Sequence, residues 1–64
     1  MASQKNLSTN SLNEMINLEL QTAQRYVDYI LQVNEPKLQE ALKTMEMGAR
    51  NNHKSLLQAL EQLN

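Results

Sequence analysis

Two helical repeats of apolar residues, one on each side of Asn34-Glu35-Pro36, constrain this chain more than any other feature of its sequence. Before the break, Leu12, Ile16, Glu19, Ala23, Tyr26, Ile30 and Val33 recur at alternating steps of four and three, flanked by Met15, Leu20, Val27 and Leu31. Such steps return to one face of an α-helix, so the run predicts a wide apolar stripe. After the break, Leu38, Leu42, Met45, Ala49, Asn52, Leu56, Ala59 and Leu63 repeat in the same way, with Glu46, His53, Leu57 and Leu60 beside them. Proline disfavours helix for the residue before it and fits the first turn of a new one, so Pro36 separates two helices rather than kinking one.

Ser11-Leu12-Asn13-Glu14 has the spacing of a capping box and predicts a first helix over about 11–33, with Ser8 or Thr9 able to cap an earlier turn. A turn at 34–36 and a second helix over about 36–62 follow. The polar segment 1–10 buries too little to offset its ordering entropy and is expected to be flexible. A connection this short makes the helices antiparallel neighbours. The fold class is therefore all-α, an antiparallel two-helix hairpin. Gly48 interrupts the second helix, at a cost of up to about 1 kcal/mol relative to Ala, and is expected to mark a close helix approach.

From Leu12 onward the chain carries seventeen Leu, Ile, Val and Met residues, more than two helices can cover between themselves. Single cores in chains of this size are marginal, and there is no Cys to supply a disulfide or a thiolate metal site. Closing two hairpins into a four-helix bundle is the economical remedy. The expected partner is another copy or another helical protein. The interface core would comprise Leu12, Ile16, Ala23, Tyr26, Ile30, Leu42, Met45, Ala49, Leu56 and Leu60.

The net charge of −1, with signs interspersed, gives no electrostatic footprint for nucleic acid. No apolar run is long enough to span a membrane, and residues 1–10 lack the core of a signal peptide, so a cytoplasmic location is the default expectation. No arrangement of nucleophile, base or phosphate loop is present, which predicts a protein that is not an enzyme and needs no cofactor.

Three polar residues stand at the edge of, or within, the apolar stripes: Glu19 on the first helix, Glu46 and His53 on the second. Counting outward from the turn at about 1.5 Å per residue puts Glu19 level with the Arg50–His53 turn. Tyr26 lies two turns nearer the loop on the side of Glu19.

A Glu, a Tyr seven residues later and a facing turn that ends in His resemble half of a ferritin-like carboxylate bundle, the superfamily of ferritins, rubrerythrins and their two-helix relatives. Leu18-Glu19-Leu20-Gln21-Thr22-Ala23, Glu35-Pro36-Lys37-Leu38 and His53-Lys54-Ser55-Leu56-Leu57 look most like its spore-coat F-type branch, over about residues 12–62. In that superfamily each helix pair offers one Glu and an E-x-x-H turn to a di-iron centre. This chain departs from the pattern, reading Arg50-Asn51-Asn52-His53, with a cation where the second carboxylate would stand. Glu46 does not replace it, because seven residues separate Glu46 from His53 by about 10.5 Å along the axis.

What the resemblance carries over is Glu19 and His53 as metal ligands, assembled from two copies, and Tyr26 as their neighbour. The competing expectation is an ion-pair cluster in which Arg50 donates to Glu19 across the hairpin and to Glu46 along its own helix. Three functional readings follow. The first is a non-enzymatic structural or interaction protein that homo-oligomerises, associated by resemblance with a spore or its coat. The second is a metal-binding bundle using Glu19 and His53. The third is a small regulatory adaptor whose exposed stripe captures a partner helix.

Overall fold

The computed structural model describes residues 8–63, and most of the expected flexible segment, residues 1–7, lies outside them. The described residues form two helices, α1, Thr9–Gln32, and α2, Pro36–Leu63, which pack against each other as an antiparallel hairpin.

α1 starts a turn earlier than the Ser11 box predicts. Ser8 is the N-cap, in an extended conformation (φ −85°, ψ 170°), and its hydroxyl accepts the Ser11 N–H at 3.2 Å. The Ser8 carbonyl takes the Leu12 N–H at 3.1 Å as the first intrahelical bond. Ser11 thus becomes a donor inside the first turn. The reason is local: a serine three residues upstream serves the Ser11 N–H as Ser11 would have served that of Glu14, and adds a turn of helix beneath Leu12.

The connection, residues 33–35, is held by side chains that the sequence reading passed over. Val33 leaves α1 in an extended conformation, and no described residue has a positive φ, so the reversal needs no left-handed glycine. Glu35 caps α2: its carbonyl accepts the Gln39 N–H at 3.0 Å and its carboxylate the Lys37 N–H at 2.6 Å. A carboxylate there also meets the positive end of the α2 dipole. The Gln39 side-chain amide donates back to the Val33 carbonyl, satisfying one acceptor that the end of α1 leaves open.

Among the described apolar side chains, only Leu12, Ile16, Ala23 and Ala49 are buried. Ala23 is wholly enclosed, and a methyl group is enclosed only where the facing backbone comes close, so the Ala23–Ala49 level is the waist of the hairpin. Around it α2 presents Leu42, Glu46, His53, Leu56 and Leu60, all half-buried.

Met45, placed in the interface core of the expected bundle, is 51% exposed in the single hairpin, and Leu38 and Leu63 are also turned outward. Tyr26, Ile30, Leu42, Leu56 and Leu60 of the expected core are half-buried. The stripe on α2 is wider than one neighbouring helix covers, so one flank of it must face outward.

The hairpin is a rod of 48 × 17 × 17 Å with a radius of gyration of 15.0 Å, against roughly 10–11 Å for a compact chain of this length. Gly48 faces open space, with nothing within 4 Å of an added Cβ. The close approach expected at this glycine does not occur within the hairpin.

Candidate functional site

Among the described residues, the polar layer near the middle of the rod is the one place where side chains of the two helices bond to each other along their length. Asn52 donates its side-chain amide to the Glu19 carboxylate at 3.2 Å. Glu19 is half-buried and Asn52 exposed, so the bond sits at the rim of the seam. The layer falls at the level that counting from the turn gives.

Its membership differs from the expectation in one respect. Arg50 binds Glu46, Nε to Oε2 at 2.7 Å, an i, i+4 pair along α2, and does not bridge to Glu19. Helical geometry explains the exchange. At roughly 100° per residue, Asn52 and Arg50 lie on opposite sides of the α2 seam through Ala49, and Glu19 lies on the side of Asn52. An exposed arginine on the wrong side of the rod cannot reach a carboxylate that a nearer amide already serves. The expected cluster is therefore divided in two: Glu19 with Asn52 on one side, Glu46 with Arg50 on the other. Along-helix pairs of the second kind contribute about 0.2–0.5 kcal/mol.

His53 is half-buried on the seam, one residue beyond Asn52. Among the described residues no three His, Asp or Glu side chains converge as a metal site would require, and no pocket opens on the hairpin. Tyr26 is half-buried and Tyr29 exposed on the same flank of α1 as Glu19. No described helix is long and apolar enough to cross a membrane. The layer joins the two helices through a carboxylate held by an amide.

Comparison with protein-family models, with curated proteins and with solved structures finds no match to this chain. The resemblance to ferritin-like bundles therefore rests on the residues quoted for it.

Sequence reasoning placed Glu19 at the correct level and missed Asn52 as its partner. The signal was present: Asn52 is a polar residue on the apolar track of α2, at the same height as the one acid on the apolar track of α1.

Proposed function

We propose that this chain is a non-enzymatic structural or interaction protein, a helical hairpin that homo-oligomerises and closes a four-helix bundle with another copy of itself. The observation that carries this reading is the imbalance of its apolar surface: among the described residues, four buried apolar side chains stand against nine large ones left exposed. A rod with so little enclosed core lies at the low end of what folds alone, and burying further Leu and Met side chains would contribute about 1.5–3 kcal/mol for each one fully covered. A ferritin-like origin and a place in a spore coat are part of the same proposal, carried by the resemblance alone.

Sedimentation of the untagged chain from micromolar to hundred-micromolar concentration tests the reading. A mass of two or more chains that falls on dilution supports it. A strongly helical monomer throughout that range rejects it, and directs the search to a different helical protein as partner.

A further inference from the structure

The apolar surface is not spread evenly around the rod, and neither is the charge. At roughly 100° per residue, the side of the hairpin marked by the Glu19–Asn52 bond carries Met15, Leu18 and Tyr29 from α1 and Leu38, Met45 and Leu63 from α2. These are six of the nine large apolar residues left exposed, and they run from the turn to the open end. Between them on α2 stand Ala41, Gly48, Asn52, Ser55 and Ala59, without a charged residue from Leu38 to Leu63 along this flank. The opposite flank of α2 holds Lys43, Glu46, Arg50, Lys54 and Glu61. Depletion of charge beside exposed Met, Leu and Tyr is the composition of an interface centre, and the charged flank is that of a solvated face.

We propose that this apolar side, uncharged along α2, is the dimer face and that its occupant is the same side of a second copy. This rests on the homo-oligomer reading above and specifies the surface it uses. Three features select a copy of the chain over other occupants. A side of 48 × 17 Å spans roughly 800 Å², about what each partner contributes to a stable interface of standard size. A partner must be apolar along that whole length, and this chain supplies such a partner. The face has few charges to offer a charged partner: on α1 it carries one carboxylate, Glu19, already held by Asn52, and one exposed cation, Arg25, on the line of Leu18 and Tyr29, whereas a two-fold contact pairs the apolar surface with itself. Gly48, open in the single hairpin, then lies inside the contact, where the missing side chain lets the second copy come close.

The test compares dissociation constants by sedimentation equilibrium, with helicity followed by circular dichroism. Met45→Glu puts a charge into the proposed face and should weaken the dimer at least about tenfold. Leu57→Glu puts the same charge on the other flank and should leave the constant within about threefold, less than half of a tenfold step on a logarithmic scale. Gly48→Leu should also weaken the dimer while helicity is kept, since the single hairpin has room for the side chain. A dimer that survives Met45→Glu and Gly48→Leu but is lost with Leu57→Glu overturns the choice of face and leaves the homo-oligomer reading standing. Equal effects from both charge variants likewise overturn the choice of face. A wild-type chain that is monomeric throughout removes both.

Discussion

Asn52 reaches across the hairpin to Glu19, 33 residues away in sequence, while Arg50, two residues before it, turns back along its own helix to Glu46. The pairing divides what would be a single charge cluster between the two sides of the rod. It predicts unequal couplings. In double-mutant cycles followed by urea unfolding, Glu19→Ala and Asn52→Ala should couple by about 0.5–1.5 kcal/mol, the range of one hydrogen bond. Glu19→Ala and Arg50→Ala should couple by less than about 0.3 kcal/mol, since no bond joins them. The reverse ranking would return Arg50 to the position opposite Glu19.

Ser8 rather than Ser11 starts α1, and the two serines separate cleanly by substitution. Ser8→Ala removes the acceptor for the Ser11 N–H and should cost about 1 kcal/mol in thermal or urea unfolding. Ser11→Ala replaces an interior helix position with a better helix former and should stay within about 0.5 kcal/mol of the parent. A larger loss from Ser11→Ala would restore the later cap.

Helix number, break and antiparallel pairing were legible because each rests on a local rule: a 3.6-residue apolar period and a proline that cannot continue the preceding helix. Ala23, Leu12, Ile16 and Ala49 were legible as core for the same reason. Which flank of α2 the single hairpin leaves open was not. Two tracks on that helix, one through Leu38 and Met45 and one through Glu46 and His53, have the same period, and sequence hydrophobicity favours the track that the hairpin leaves partly open. Long polar side chains make the difference, because Glu46 keeps its carboxylate at the rim while its stem lines the seam. The level of Glu19 followed from helix rise alone, but its partner depended on azimuth, which a count of residues from the turn does not give.

The turn depends on Gln39, which closes the connection by donating to the Val33 carbonyl. Gln39→Ala leaves that acceptor to solvent and should lower stability by about 0.5–1.5 kcal/mol without changing helix content. Glu35→Ala removes the carboxylate that accepts the Lys37 N–H and should cost a comparable amount, typically about 1 kcal/mol for a lost cap. Both are read by unfolding curves at matched protein concentration, since a dimer would make the midpoint depend on it. Unchanged midpoints in both variants would show that Pro36 alone fixes the reversal.

Glu19 and His53 are the metal ligands that the ferritin-like resemblance would retain, and the division of the polar layer bears on them. Glu19 is engaged by Asn52, and Arg50 stands at the sequence position of the carboxylate that a di-iron member would use. Adding Fe²⁺ or Zn²⁺ to untagged protein should therefore leave the melting midpoint unchanged, because a ligand stabilises only in proportion to its binding to the folded form. Metal retained at one ion per pair of chains, with a midpoint that rises on loading and falls again in His53→Ala, would establish the metal-binding bundle instead.

Gly48 gives a prediction whose sign depends on the assembly. In a single hairpin nothing lies within 4 Å of the Cβ that Gly48→Ala would add, so the substitution only relieves the entropic penalty of glycine within a helix. It should stabilise the monomeric Met45→Glu background by about 0.5–1 kcal/mol. In the parent chain the gain should shrink or reverse, because the same methyl group would meet the second copy across the proposed face. Measuring the substitution in both backgrounds by urea unfolding isolates the difference. Equal stabilisation in the two would place Gly48 in solvent in the assembled protein as well as in the single hairpin.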